Sequence, residues 1–289
     1  MILVFGKIGQ VAQALQADLR EFQVEYCDRD VVDFLNPEKV IGLLEEKKPQ
    51  LVINASAYTQ VDKAETEKDL AMQINAHTPT RIAQWCAIHK VPMIHFSTDY
   101  VFNGQGENPW LENMPTDPVN YYGLTKLTGD LGIQNSGCRH FIFRISWVYA
   151  PWGHNFPKTI LRLAQEREEL KIVSDQVGSP TDAREVSYFI KLLLNKNGND
   201  LNLESGVYHL SFKKVMTWFD LANLTIAEAK RKNIPLKVKQ VLPIPSSAFP
   251  TPAKRPLNSR MDTIHSEIKP YIEKVQQVAI EKKWGYLES

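Results

Sequence analysis

The chain has 289 residues, 43% of them hydrophobic, and sets 34 Lys and Arg against 33 Asp and Glu for a net charge of +1. That is enough apolar material for a substantial core in one large or two smaller domains, and so even a balance gives no reason to expect nucleic acid or a membrane surface as partner. No stretch approaches the roughly 20 apolar residues of a membrane span.

The short apolar start, Met1 to Phe5, lacks the basic leader of a secretion signal and reads instead as a buried parallel strand. It breaks into Gly6-Lys7-Ile8-Gly9-Gln10-Val11-Ala12, after which Ala14, Leu15 and Leu19 recur at helical spacing. Glycines at a strand-to-helix turn permit a tight bend and bring backbone N–H groups to a pyrophosphate at the helix N-terminus. An isolated Gly-x-x-Gly is equally the mark of a turn without a ligand. Phe22 to Cys27 predicts a second strand ending in Asp28-Arg29-Asp30, and 37–47 a helix with Pro37 in its first turn. Residues 51–55 predict a third strand and 66–89 one long or broken helix. Residues 91–96 form a fourth strand running into Ser97-Thr98-Asp99, the segment around Tyr122 a helix, and 141–145 a fifth strand. Strands alternating with helices make βαβ units, and hence an α/β fold with a doubly wound parallel sheet. Cys27, Cys86 and Cys138 are widely separated and read as free thiols in a reducing cytoplasm.

In such sheets ligands bind beyond the carboxyl ends of the strands, where Gly6, Asn54, Ser97, Thr98 and Trp147 all fall. Tyr122 and Lys126 add chemistry. At i and i+4 of a helix they share one face. A tyrosine titrates near pKa ~10, and a neighbouring ammonium is expected to depress Tyr122 and ease transfer of its proton to a carbonyl oxygen.

Beyond residue 147 the pattern changes. Residues 151–155 read as a loop, 156–169 as a helix with a charged end, 182–194 as a helix able to return to the sheet, and 216–232 as another helix. From 241 to 260 the chain is rich in proline and serine and reads as a long loop. Lys254, Arg255 and Arg260 make it either a solvated surface or an anion clamp. The expected organisation is a Rossmann-like NAD(P)-binding domain over 1–147, rejoined by helix 182–195, with a smaller C-terminal domain over 148–289 that is mainly substrate-binding.

Six segments in this order carry a resemblance: Gly6-x-x-Gly9-Gln10-Val11; Val52-Ile53-Asn54-Ala55 with Val61-Asp62-Lys63-Ala64-Glu65; Ser97-Thr98-Asp99-Tyr100-Val101-Phe102; Tyr122-Gly123-x-x-Lys126; Arg144-x-Ser146-Trp147-Val148-Tyr149; and Thr251-Pro252-Ala253-x-Arg255-Pro256-x-Asn258-Ser259. Over most of its length the chain resembles the extended short-chain dehydrogenase/reductase family. The resemblance implies an NAD(P)H-dependent oxidoreductase acting on a dTDP-linked keto-deoxysugar. Its reaction would be reduction of the 4-keto group of dTDP-4-dehydro-β-L-rhamnose, the last step of dTDP-L-rhamnose synthesis. Tyr122 is then the proton donor and Lys126 the holder of the nicotinamide ribose hydroxyls. Thr98 is the hydrogen-bond partner of the keto oxygen as it gains charge. The implied cofactor contacts are Gly6, Lys7, Ile8, Gly9, Gln10, Val11, Asp28, Arg29, Asp33, Phe34, Asn54, Ala55, Ser56 and Ala57, with Tyr122 and Lys126. Asp33-Phe34 either lies beside adenine or forms an exposed acidic turn. The implied substrate contacts are Thr98, Asp99, Tyr100, Trp147, Asn155, Lys254, Arg255, Asn258 and Arg260, with Tyr100 alternatively a core aromatic. Asp62 and Lys63 belong either to a loop near the substrate or to an ordinary charged surface.

The chain also departs from the family. Ala12 replaces the third glycine, a harmless change for so small a side chain. Ala14 and Arg184 stand about where some members carry glutamates that share a magnesium ion across a dimer contact. Neither supplies the oxygen ligands a hard cation needs, so no metal is expected, and the chain is expected as a monomer or weak homodimer. Asp28 suits the ribose 2′-hydroxyl of NADH and Arg29 the 2′-phosphate of NADPH. Lys7 adds positive charge and tips the expectation toward NADPH, with both accepted. Two other readings stay open: a reductase or epimerase of another nucleotide-linked keto sugar, and a non-catalytic nucleotide-binding regulator on the same scaffold.

Overall fold

Each apolar run of the first half forms a strand. The computed structural model describes residues 1–197, 201, 203–212 and 215–287. Its first half contains β1 (Ile2–Phe5), α1 (Gln10–Asp18), β2 (Val24–Cys27), α2 (Pro37–Lys47), β3 (Leu51–Asn54), α3 (Lys68–Met72), α4 (Thr78–His89), β4 (Met93–Thr98), α5 (Tyr121–Gln134) and β5 (His140–Ile145). The 66–89 segment is broken, with α3 and α4 joined by a π-helical turn over Gln73–His77. That irregularity turns Asn75 inward. Its side chain bonds both backbone groups of Tyr58, at 2.8 and 3.0 Å, and the Thr125 hydroxyl at 3.0 Å.

The second half adds β6 (Val148–Tyr149), α6 (Phe156–Glu166), β7 (Glu169–Val173), β8 (Val177–Gly178), β9 (Thr181–Asp182), α7 (Ala183–Asn197), β10 (Gly206–His209), β11 (Met216–Thr217), α8 (Trp218–Arg231), β12 (Gln240–Ile244), β13 (Asn258–Ser259) and α9 (Lys269–Glu281). Two expectations are corrected here. The proline-rich stretch is not loop from 241. β12 runs parallel to β7, Val241 opposite Leu170, and Pro243 is tolerated because the sheet has only these two strands and each is an edge. Residues 216–217 are strand, because Thr217 starts α8 as a cap. Its hydroxyl accepts from the Asp220 N–H at 3.0 Å while the Asp220 carboxylate accepts from the Thr217 N–H at 2.9 Å.

The large sheet is parallel throughout, in the order β10-β5-β4-β3-β1-β2. Side chains alternate across a strand. Ile2, Val4, Ile53, Ile94 and Phe143 therefore meet Val186, Phe189 and Val275 of α7 and α9 on one face. Leu3, Phe5, Val52, Met93 and Ile142 meet Val40, Leu44 and Ile82 of α2 and α4 on the other. α7 returns to pack on α1, and β10 joins the sheet beside β5, so chain beyond residue 147 completes this layer. The rest builds a smaller lobe around Ile160, Ala164, Leu170, Ile172, Ala222 and Ile226. Chain order reverses between β1 and β3, the switch point where a ligand crevice forms. Among the described residues no helix is long and apolar enough to cross a membrane.

Candidate active site

The switch point holds a groove of about 690 Å³. Phe5 ends β1 between Cys27 and Asn54, so the loops after β1, β2 and β3 converge. Gly6 turns the chain there with φ +108, and a Cβ would lie 3.0 Å from the Ala55 carbonyl oxygen. Conformation and close approach both demand glycine. Gly9 caps α1 without a side-chain bond, the arrangement that lets a helix N-terminus face an anion. Of the expected cofactor contacts, Gly6, Lys7, Ile8, Gly9, Asp28, Arg29, Asp33, Phe34, Ala55, Ser56 and Ala57 line the groove. Lys7 Nζ lies 3.9 Å from the Asp28 carboxylate. Unforeseen walls include Asp30, Val32, Tyr58, Gln60 and Glu67. They were missed because no motif marks them and only folding brings them to this edge.

Three expected contacts turn their side chains elsewhere. Asn54 is buried beneath the groove, its Nδ2 bonded to His95 Nδ1 at 3.0 Å and its Oδ1 accepting from the Ser56 N–H at 3.1 Å. Gln10 turns toward the second lobe and donates to the Val148 carbonyl at 3.4 Å. Val11 packs on the core. The first turn of α1 aims both side chains away from the groove.

Thr98 closes β4. Its hydroxyl accepts from the Tyr100 N–H and donates to Asp99 Oδ1, both at 3.2 Å. Asn120 caps α5, accepting from the Gly123 N–H at 2.8 Å and donating to the Lys254 carbonyl at 2.7 Å, which sets where Tyr122 enters the first turn. The Tyr122 phenol neighbours the Thr98 hydroxyl, and the Tyr122 ring meets Tyr100 edge-on at 5.6 Å. One turn on, Lys126 is buried, donating from Nζ to the Phe96 carbonyl at 2.7 Å with His95 Nε2 at 3.1 Å. Burial draws Lys126 down to about 8, against the opposing charge of Asp130.

The expected depression of Tyr122 by Lys126 is corrected. Burial pushes the Tyr122 phenol above the ordinary tyrosine value, the Thr98 hydroxyl opposes it, and the charges of Asp99 and Asp130 add to it. The Lys126 Nζ is committed to β4. Asp99, expected against substrate, is buried behind Thr98 with its carboxyl pushed up to about 6 by burial, opposed by the Thr98 hydroxyl on its Oδ1. Beneath lies a cluster not foreseen from sequence. Asp130 accepts from the Ser97 hydroxyl at 2.8 Å and Arg144 Nε at 3.4 Å, with its Oδ1 unpartnered. The legible signal was Arg144 inside an apolar strand, since a buried charge demands a partner.

A second groove of about 860 Å³ is walled by Asp62, Tyr100, Phe156, Leu170, Trp218 and Arg255, among others. Arg255 Nη2 bonds Asp62 at 2.8 Å and Nη1 donates to the Ala253 carbonyl at 2.9 Å. Burial raises the Asp62 carboxyl, but the Arg255 bond, the Ala253 N–H and the guanidinium charge outweigh it and hold it below the ordinary value.

Five other expected substrate contacts have different company. Lys254 is exposed, and Arg260 donates to the Glu107 carbonyl at 2.7 Å. The Asn258 amide donates to the Asn108 carbonyl at 2.8 Å and accepts from the Arg260 N–H at 3.2 Å. Asn155 caps α6, accepting from the Lys158 N–H at 3.1 Å and donating to Gln10 Oε1 at 2.9 Å and the Ala150 carbonyl at 2.8 Å. The polar groups of Asn155 and Asn258 are spent on the scaffold. Trp147 stacks on Trp218, and it is Trp218 that reaches the groove wall.

The magnesium-bridging arrangement does not fit these residues. Ala14 packs with Ala150 and Ala183, and Arg184 donates to the Asp182 carboxylate at 2.6 Å and the Gly285 carbonyl at 3.2 Å. The neighbouring Glu185 carboxylate accepts from the Asp182 N–H at 3.0 Å.

A switch-point groove floored by glycine, with a Thr–Tyr–Lys set at the adjoining strand end, defines a nicotinamide-dependent reductase of the extended short-chain dehydrogenase/reductase class. The chain belongs to the dTDP-4-dehydrorhamnose reductase family. The family described as RmlD substrate binding domain matches residues 1–280. The dTDP-4-dehydrorhamnose reductase of Escherichia coli (strain K12) is 44% identical over 275 residues, 91% of this chain and 89% of that protein. The crystal structure of dTDP-4-dehydrorhamnose reductase from Bacillus anthracis in complex with NADP superposes with a TM-score of 0.83 at 31% identity, covering 97% of this chain and 98% of that one. The UDP-glucose 4-epimerase of Thermus thermophilus shares the fold, with a TM-score of 0.73 at 17% identity over 99% of this chain and 93% of that one.

Proposed function

We propose that this protein reduces the 4-keto group of dTDP-4-dehydro-β-L-rhamnose to dTDP-L-rhamnose, taking NADPH or NADH. The observation that carries this reading is the neighbouring Thr98 and Tyr122 hydroxyls, with buried Lys126 one helical turn along from Tyr122. The 690 Å³ groove suits the dinucleotide, because Gly6 leaves no room for a Cβ and α1 presents an uncapped N-terminus. Gly6, Lys7, Gly9, Asp28, Arg29 and the 55–57 loop hold it there, and when bound it supplies the hydride.

Tyr122 gives its proton to the keto oxygen, and its raised pKa keeps that proton in place until charge develops on the acceptor. Thr98 adds a second hydroxyl for the developing oxyanion. Arg255, anchored by Asp62, offers a guanidinium to the nucleotide diphosphate from the wall of the second groove. Without oxygen ligands at Ala14 and Arg184, the chain is a monomer or weak homodimer independent of magnesium. It has neither nucleic acid nor membrane as partner, and it works in the cytoplasm.

The test is oxidation of NADPH and NADH in parallel on dTDP-4-dehydrorhamnose made in situ, with the product identified by NMR. Formation of dTDP-L-rhamnose upholds the reading. Cofactor binding without oxidation rejects this substrate and points to another nucleotide keto sugar or a non-catalytic role. A dimer that dissociates with EDTA in sedimentation would overturn the metal-free assignment.

A further inference from the structure

Behind the Tyr122–Lys126 face a file of polar groups crosses the core. Lys126 Nζ lies 3.1 Å from His95 Nε2, His95 Nδ1 lies 3.0 Å from Asn54 Nδ2, and Asn54 Oδ1 accepts from the Ser56 N–H at 3.1 Å. Lys126 is 2% exposed, and His95 and Asn54 1% each. Groups buried this deeply must satisfy one another.

Counting protons decides how. Asn54 Oδ1 takes the Ser56 N–H, so Asn54 Nδ2 donates to His95 Nδ1. Burial is the larger cause holding His95 well below the ordinary histidine value, and it acts whether or not Lys126 is charged, so His95 is neutral. A neutral imidazole has one N–H. That proton therefore sits on Nε2 and is given to Lys126 Nζ. Only an uncharged amine has the lone pair to accept it. An ammonium has three N–H groups and no acceptor, so a charged Lys126 requires every link to reverse. His95 Nε2 then accepts, its proton moves to Nδ1, the Asn54 amide turns to present Oδ1, and the Ser56 N–H is released. Ser56 lines the nucleotide groove.

We propose that His95 and Asn54 are positioning residues that tie the charge of Lys126 to the Ser56 N–H: amine with that N–H turned inward, ammonium with it given to the groove. The chain as a whole gains one proton, on Lys126, taken from solvent. The inference rests on the reading of Lys126 as the site lysine. The groups facing Lys126 are His95 and the Phe96 carbonyl from β4, and Asp130 one turn along α5 with Arg144 of β5 behind it. Asp130 favours the ammonium and the His95 file favours the amine. With Lys126 drawn to about 8, both forms lie within reach of neutral pH.

The experiment uses the full chain without nucleotide, labelled with 15N histidine and 15N lysine. Long-range 1H–15N spectra read the His95 tautomer and the Lys126 Nζ shift across about pH 6 to 10, with His95 assigned through His95→Gln. The expected result is an Nε2–H tautomer at high pH converting to Nδ1–H at low pH, with the midpoint of Lys126. A tautomer unchanged through the Lys126 titration overturns the proposal. Asn54→Asp offers acceptors to both Ser56 and His95, so it is expected to hold Nδ1–H throughout and raise the Lys126 midpoint by about one pH unit or more. An unmoved midpoint there also counts against it, and should that variant not fold, the wild-type titration decides alone. These spectra involve no turnover, so they stand or fall separately from the sugar-nucleotide assay.

Discussion

Trp147 lies face to face with Trp218, ring centroids 3.5 Å apart and planes 10° from parallel. The stack joins the end of β5 to the start of α8, and so the parallel sheet to the smaller lobe. Trp147 holds a left-handed φ of +48 to reach it, a conformation that costs a bulky residue strain and persists only where surroundings impose it. A Cβ on Gly178 would come within 2.6 Å of the indole.

Trp218→Ala should therefore both destabilise the protein and loosen the sugar side of the site. The lost stack is worth on the order of 1 kcal/mol beyond the lost buried area. Denaturant midpoints should fall, and KM for the sugar nucleotide should rise several-fold with KM for NADPH unchanged. Trp218→Phe should keep most of both. Equal effects of the two substitutions would argue against a stacking role.

Tyr122→Phe removes the proposed proton donor and little packing. Turnover should drop about 10²- to 10⁴-fold, the range for a positioned general acid. NADPH affinity, read by fluorescence titration, should stay within about threefold, because no change is made to the glycine-floored groove. Undiminished turnover would remove Tyr122 from the chemistry.

Lys126 makes stability depend on pH. Its folded value of about 8 lies below the 10.5 of an exposed lysine, so the folded state binds fewer protons than the unfolded one between these limits. Stability then rises as pH climbs from about 8 to 10.5, and below about 8 the charged form costs the folded state roughly 3 kcal/mol. Lys126→Met should be more stable than the parent at about pH 7, and the gap should close toward pH 10.5. Urea midpoints at the two pH values test this, and a constant gap would refute it.

Arg255→Ala should raise KM for the dTDP-sugar about tenfold or more, with NADPH kinetics little changed, since a guanidinium–phosphate contact is charge-assisted. The wild-type KM should rise with salt and the variant's should not. A salt response that survives the substitution would move the diphosphate contact elsewhere.

Arg29→Ala tests the cofactor. Asp28 and Arg29 both line the groove, and Lys7 stands 3.9 Å from Asp28. If Arg29 meets a 2′-phosphate, the variant should lose NADPH efficiency about tenfold or more while keeping NADH. Parallel losses with both cofactors would show that Arg29 does not discriminate.

Much of this molecule was legible in its residues. Short apolar runs spaced by helical periods announce β1 to β5, because burial on both faces leaves a strand no polar alternation. Gly6 and Thr98 stand where apolar runs end, and Tyr122 and Lys126 one helical turn apart. Local pattern marks these positions before the sheet pairing of β1, β3 and β4 brings them to one edge. The site's second layer was not legible. Asn54, Asn155 and Asn258 carry polar groups suited to a ligand, and only packing shows those groups committed to His95, the 155 cap and the 105–108 segment.

What the sequence by itself determined is the order of strands and helices, the glycine turn and the hydroxyl–lysine pair, all products of local backbone preference and side-chain period. Tertiary structure alone decided the rest: that β10 rejoins the sheet, that Arg144 finds Asp130, that Trp218 rather than Trp147 meets the groove, and that burial raises Tyr122 instead of Lys126 lowering it. Those outcomes depend on which distant groups share a desolvated space, and desolvation is a property of the packed whole.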